Sequence, residues 1–232
     1  MSPSYTLCDA EPSDSGDIAH LFALSWTSGF TQLQFGNIDP PILAAEMTPR
    51  IAEHMEKPQI RYLVMRNPKT QKAVAVAQWR LPSTDEEDEA EQSTAEKEER
   101  QNFEDEAYRN KLPEKSNKDL IMEFTLGLRR LRDRTIKGQK HWHQVLENIA
   151  THPEHRGHGL ASTLIRWVFP LADDQGALVY LDTATDNEAM RLYKKLGFEI
   201  QDTETIQDLS LYGGDGSHSH AALIRYPQNT TE

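Results

Sequence analysis

Apolar and polar positions along the chain fall into short strand-like and helix-like runs in turn. "YTLCDA" reads as a short strand. Asp14 or Ser15 then caps a helical run carrying Ile18, Leu21, Phe22, Ser25 and Trp26 at spacings of three to four. Pro40 and Pro41 open a second helix through "PILAAEMTPRIAEHM", which Pro49 is expected to break or kink. "IRYLVMR" and "KAVAVAQWRL" predict two strands, joined as a hairpin by the turn-forming "NPKTQ". "NKDLIMEFTLGLRRLRDRTIKGQK" places Leu120, Ile121, Phe124, Leu128 and Leu131 on one helical face and leaves an arginine-rich outer face. "HWHQVLENIAT" predicts a strand, followed by a glycine turn and a helix through Val168 toward Asp173. "ALVYLDTA" is a buried strand, and "NEAMRLYKKLG" a helix capped by Asn187 and closed at Gly197. "FEIQDTETI" and "SHAALIRY" make a closing strand pair across "YGGDGSH". Strands alternating with helices before an antiparallel close predict an α/β fold: a mixed sheet with helices on both faces. No internal repeat interrupts it, so one domain over residues 1–232 is expected.

One segment departs from this picture. From Asp85 to Glu106 there are twelve acids against Lys97 and Arg100, with almost nothing apolar to bury. Such a stretch cannot offset its ordering entropy with a core. The expectation is an acidic insertion at about 83–118, either flexible or an exposed helix, with the neighbouring arginines balancing its charge. The chain as a whole carries a net charge of −12, which argues against a nucleic-acid backbone as partner and favours a cationic one, such as an amine or a basic peptide. Cys8 is the one cysteine, so no internal disulfide forms, and its place in an apolar run makes it a strand residue rather than a nucleophile. No run approaches the ~18 apolar residues of a membrane span, and the N-terminus lacks a basic, apolar leader. A cytoplasmic or nuclear protein, monomeric or homodimeric and without a membrane partner, is expected. The sequon at Asn229, Thr230 and Thr231 is read as a chance match in a polar tail.

The chemistry concentrates in "THPEHRGHGLASTLIRWV". Gly157 and Gly159 stand at the mouth of a helix, where several backbone N–H groups have no intrahelical partner. Glycines remove the Cβ atoms that would hold a bulky anion away. The helix dipole contributes about half a positive charge there and Arg156 a full one, so a diphosphate is the natural occupant. A Walker loop is excluded because no lysine follows Gly159. A dinucleotide fingerprint is a poor match, since Ser162 stands at its third glycine and the turn lies late in the chain. The pattern R-x-x-G-x-[GA] is met from Arg156 to Ala161. His152, His155 and His158 have metal-ligand spacing, but they occupy the turn assigned to phosphate, and no metal is expected.

"LENIATHPEHRGHGLASTLIRWV", a strand near 177–184 and "NEAMRLYKKLGFEI" together resemble the coenzyme A-binding core of the GNAT superfamily of N-acetyltransferases. The resemblance is closest over about 142–200. It implies a mostly antiparallel central sheet with a splayed parallel strand pair, and acetyl-CoA as co-substrate. It further implies that Ile149, Ala150 and Thr151 pair their backbone with the pantetheine arm, although the family more often has valine where Thr151 stands. Backbone amides of Arg156, Gly157, His158, Gly159, Leu160, Ala161 and Ser162 would hold the pyrophosphate, and Asn187 matches a position that often contacts the coenzyme.

Acetyl transfer to an amine faces a protonation problem. An alkylammonium group such as the lysine side chain loses its proton at a pKa of about 10.4, so roughly one in a thousand is neutral near pH 7 and a base matters. By resemblance Tyr193 stands at the family's acid position, and Glu147 lies in a strand where a carboxylate commonly serves as base, directly or through water. Asp182, in the next parallel strand, is placed to hold a water or the amine. Neither carboxylate has an evident cationic partner in sequence, and a carboxylate in a largely apolar strand asks for an explanation. His141 and His143 share a strand face within reach as proton relays, although exposure near the strand start is the plainer reading, while His218 and His220 are expected to edge a hairpin. The first two helices and the insertion should border the acceptor pocket, with Trp26 and Phe30 as lining residues. The acceptor class stays open between a small-molecule amine and a peptide amine. Two other readings remain: a non-catalytic coenzyme A-binding module, and an interaction protein using the acidic insertion.

Overall fold

The structure, a computed structural model, describes residues 5–36, 38–82, 94–136 and 143–228. The first three strands are β1 (Thr6–Asp9), β2 (Ile60–Arg66) and β3 (Ala73–Arg80). The last four are β4 (His143–Thr151), β5 (Leu178–Ala184), β6 (Glu199–Ile206) and β7 (His218–Arg225). They form a single sheet in the order β1-β2-β3-β4-β5-β7-β6. Only β4 and β5 are parallel; every other neighbouring pair is antiparallel. His218 and His220 open β7 at the loop end of the β6–β7 hairpin, on a strand that lies between β5 and β6 in the sheet.

Eight α-helices cover this sheet among the described residues: α1 (Ser15–Ser25), α2 (Gly29–Phe35), α3 (Pro40–Met55), α4 (Thr94–Lys111), α5 (Lys118–Ile136), α6 (Leu160–Arg166), α7 (Phe169–Asp174) and α8 (Met190–Lys195). Period-two alternation sorts the strands between two cores. Leu63, Met65, Ala77, Trp79, Val179, Leu181 and Leu223 face α6, α7 and α8, where they meet Leu164, Ile165, Ala172 and Phe198. Val64 and Val76 face α1 and α3 on the opposite side, against Ile18, Phe22 and Ile51. Further along that side Val145, Leu178, Tyr180, Ala222 and Ile224 pack under Leu131 of α5. Each large aliphatic side chain buried this way contributes about 1.5–3 kcal/mol, which is why the pattern of the chain governs the fold.

Two expectations about helices are corrected. α3 runs unbroken through Pro49. The missing N–H costs one bond on an exposed turn, while Leu43, Ala44 and Ile51, buried on either side of it, hold the helix to the core. α8 begins at Met190, after Asn187 has closed a separate turn by accepting from Ala189 N at 2.9 Å. No helix among the described residues is long and apolar enough to cross a membrane.

The acidic segment becomes helical from Thr94, as α4, and the part over 83–93 lies outside the described residues. What holds α4 is its C-terminal half. Asp105 takes both guanidinium N–H groups of Arg129, at 2.8 and 2.6 Å. Arg109 reaches Asp119 at 2.6 Å, and Leu112 plugs into the body of the protein. Most of its other described side chains are exposed, and it carries no apolar stripe. Among the described residues, Arg129 is the arginine of the α5 face that pairs with the insertion. Arg130 and Arg134 bond Glu204 of β6, and Arg134 also reaches Asp202.

Candidate active site

Two half-sites lie on opposite faces of the sheet and meet where β4 leaves β5. Parallel pairing of these strands runs from His143↔Leu178 to Leu146↔Leu181 and stops. The cause is visible on the other edge of β4. Gln78 pairs with Asn148 but Trp79 pairs with Leu146, so Glu147 is the extra residue of a β-bulge. A bulge bends its strand, and it places two consecutive side chains, Glu147 and Asn148, in the same cavity. Past it, Ile149, Ala150 and Thr151 pair with β3 on one side only. Among the described residues, their β5-facing edge has no strand partner.

The glycine turn lies at the end of that open edge. A 3-10 turn, Pro153–His155, leads to Arg156 in extended conformation, then Gly157 at φ 79° and Gly159 at φ 75°. These positive φ values require glycine more than any crowding does, because a Cβ built on either one meets no atom within 4 Å. The first helical bond of α6 is Thr163 N donating to Gly159 O at 3.0 Å. The amides of Leu160, Ala161 and Ser162 therefore have no intrahelical partner, and the space before them is open. The Arg156 side chain folds back, Nε donating to Thr151 O at 3.4 Å, and stays exposed at the rim. Asn187 bonds the turn after β5: its Nδ2 donates to Thr183 Oγ1 at 2.8 Å and its Oδ1 accepts from Ala189. An open cradle, orphan amides and an unpaired strand edge in continuous order fit an elongated molecule with a diphosphate at one end.

Tyr193 projects from α8 into the core on this same face and is 4% exposed. It packs edge-on to Phe198, with ring centroids 6.2 Å apart. Among the described residues its hydroxyl has no hydrogen-bond partner. Burial, reinforced by the nearby Asp182 charge, pushes the phenol up to about 12, so it is a protonated donor at neutral pH.

The opposite face holds a cavity of about 690 Å³ walled by α1, α2, α3, α4, α5 and the sheet. Trp26 lines it, stacked between Phe22 and Phe35 at 5.7 and 6.0 Å. Phe30 is not among the lining residues; it stacks on His218 with centroids 3.5 Å apart. Glu147 and Asp182 both open into the cavity, where their surroundings differ. Glu147 does have a cationic partner, contrary to the sequence expectation: Arg80 Nε donates to its Oε1 at 2.6 Å, while Gln78 Nε2 donates to Oε2. Gln78 also accepts from Asn148 at 2.9 Å. Asp182 has no such support among the described residues. Burial pushes its carboxyl up to about 7, with Glu147 adding to the push and Arg132 opposing it. Beside it Tyr180 lines the cavity with a buried hydroxyl that has no hydrogen-bond partner among the described residues.

Gln78, Arg80, Tyr180 and Arg132 were not foreseen from the sequence. A polar Gln78 inside the apolar run "AVAVAQWR" was the one available signal, since a buried amide must find partners. The histidines divide differently. His141 lies outside the described residues, as does the side chain of His143. His155 Nδ1 sits 2.8 Å from Tyr5 Oη, and His158 Nδ1 lies against the carbonyls of His155 and Arg156. No group of three or more metal-ligating side chains comes together among the described residues. His220 is pushed down to about 3 by burial and by His218, so it is uncharged at neutral pH.

Against known proteins, the model of the Acetyltransferase (GNAT) family matches residues 73–198. That span runs from β3 through the bulge, the glycine turn and Tyr193 to Phe198, just before β6. No curated protein matches the chain in sequence. Among solved structures, the histone acetyltransferase HPA2 and related acetyltransferase of Corynebacterium glutamicum superposes with a TM-score of 0.57 at 20% identity, covering 99% of both chains. A GNAT superfamily phosphinothricin acetyltransferase from Sinorhizobium meliloti, solved in complex with AcCoA, gives 0.54 at 16% identity, with 98% of this chain and 91% of that one covered. At these identities the structures establish a common fold.

Proposed function

The chain belongs to the GNAT family of acetyltransferases and is an enzyme with acetyl-CoA as co-substrate; from that premise we propose that it acetylates a primary amine bound in the 690 Å³ cavity, by direct attack in a ternary complex. The observation that carries this reading is the gap between β4 and β5. It is where the cradle on one face and the carboxylate-lined cavity on the other come into reach of each other.

In this reading the pantetheine arm lies along the free edge of Ile149–Thr151, with the diphosphate at the amides of 157–162 and the thioester in the gap. Asp182 accepts the proton of the ammonium, directly or through one water. A carboxyl near 7 is half ionised at neutral pH and is matched to that task. Glu147, held by Arg80 and Gln78, orients the amine without having to release its own partners. The neutral nitrogen attacks the thioester carbonyl, the new C–N bond forms and the C–S bond breaks. Tyr193 donates its proton to the departing sulfur. The protons balance: nitrogen loses one to Asp182 before attack and a second as the tetrahedral adduct collapses to the amide; one of the two replaces, through solvent, the proton Tyr193 gives to the thiolate, and the other is released.

The test is twofold. Acetyl-CoA at millimolar concentration should raise Tm by several degrees. An amine library should yield free thiol together with a product heavier by about 42 mass units, the increment of any acetyl group carried over from the coenzyme. Coenzyme binding with no turnover on any amine would instead support the non-catalytic module.

A further inference from the structure

The cavity is far larger than an amine group alone requires, and its charged side chains are not equivalent. Three of its cations are spoken for: Arg80 by Glu147, Arg129 by Asp105 at 2.6 Å, and Lys111 by Glu53 at 3.6 Å. Arg50 and Arg132 are not held in this way. Arg50, half-buried on α3, has its guanidinium carbon 5.7 Å from the ring centre of Tyr108, which α4 contributes. No carboxylate lies within 4.0 Å of it among the described residues. Arg132, on α5, has among the described residues one carboxylate within 4.0 Å, the adjacent Asp133 at 3.9 Å, and its charge is felt by Asp182. In a chain with 37 acidic and 25 basic residues, carboxylate partners are abundant. Arg50, with no carboxylate in reach among the described residues, and Arg132, with only a long contact to its neighbour, mark a place prepared for an anion. Trp26, Phe35, Leu43 and Met47 give the same cavity apolar wall area.

The geometry points to an acceptor that is a small amine bearing an oxyanion, a carboxylate or phosphoryl group, on an apolar body. The amine faces Glu147 and Asp182, the oxyanion is received by Arg50, and the apolar part lies along Trp26 and Met47, with Arg132 adding positive charge to the same cavity. This assignment rests on the acetyl-transfer reading of the same cavity and narrows its substrate class. It also gives the insertion a task, since Tyr108 of α4 is the surface on which Arg50 rests.

Matched acceptor pairs test it: phenylalanine against phenethylamine and tryptophan against tryptamine, each with the corresponding aminoalkylphosphonate, read by thiol release. The acid of each pair should exceed its decarboxylated partner at least about tenfold in kcat/KM, the scale of one charge-assisted contact. The carboxylate and phosphonate arms decide which oxyanion fits. Arg50→Met should collapse that ratio toward one, and Arg50→Lys should restore part of it, with the acetyl-CoA thermal shift showing that both variants fold. Equal or better turnover of the plain amines, or a ratio that survives Arg50→Met, overturns the assignment while leaving the transferase intact. Loss of acetyl-CoA binding in the parent protein would sink the transferase reading instead. If no pair is turned over, calorimetry with N-acetylphenylalanine decides. Binding weakened about tenfold by Arg50→Met supports the oxyanion site, and absent or unchanged binding overturns it.

Discussion

The two faces of the sheet carry candidate sites built by different means. On the α6 side the candidate surface is backbone: orphan amides, two glycines at positive φ, and an unpaired strand edge. On the α3 side it is side chains drawn from helices and strands far apart in the chain, among them Arg50, Tyr108, Arg132, Glu147 and Asp182. A backbone surface is specified by a few consecutive residues and suits a ligand common to many proteins. A side-chain surface can be changed one residue at a time without disturbing the fold. The span matched by the family model takes in the glycine turn and also Glu147 and Asp182, whereas Trp26 and Arg50 on the cavity wall lie before it.

The comparison can be broken at three points. The largest effect is expected at Tyr193, where the faces join: Tyr193→Phe should lower kcat by about 10²-fold, with the acetyl-CoA thermal shift unchanged. A comparable loss of coenzyme affinity would place the residue in binding rather than proton transfer. Asp182→Asn comes next and tests the cavity side. The wild-type kcat/KM should rise with pH through about 7, as the carboxyl ionises, and the variant should lose that limb along with about tenfold or more of its activity at pH 8. The same substitution makes a stability prediction. An acid whose folded pKa is raised destabilises the native state once both states ionise, so the penalty is present above about 7 and vanishes as pH falls to 4. Asn should then raise Tm at pH 8 by about 2–4 °C, a discounted figure because Asp182 keeps some surface in water, and leave it unchanged at pH 4. The smallest effect belongs to the cradle. Gly159→Ala forces a Cβ into the left-handed region and toward the diphosphate, and should weaken acetyl-CoA by about three- to tenfold while leaving the acceptor KM alone. A change in acceptor KM without one in coenzyme affinity would reverse the division of labour between the faces.

Asp182 and Glu147 show how far a sequence can be read toward a site. Both were recognisable as carboxylates in apolar strands, but their division of labour was not. It depends on Arg80, 67 positions from Glu147, and on a one-residue slip between β3 and β4. A bulge carries no marker here: Glu147 follows Leu146 in what otherwise reads as ordinary alternation. Phe30 was grouped with Trp26 because both are aromatic and near in sequence, yet the helix break after α1 sends it to stack on His218.

The chain by itself determined what depends on neighbours in sequence: the strands and helices from their apolar period, the glycine turn from six consecutive residues, and the spacing from that turn to Tyr193. These rest on local sterics and hydrogen bonding, which act over a few residues. Tertiary structure alone decided which charges are neutralised and which are left facing the cavity. Electrostatics depends on separation in space and on burial, and neither the Arg80 contact with Glu147 nor the open position of Arg50 is written in the order of residues.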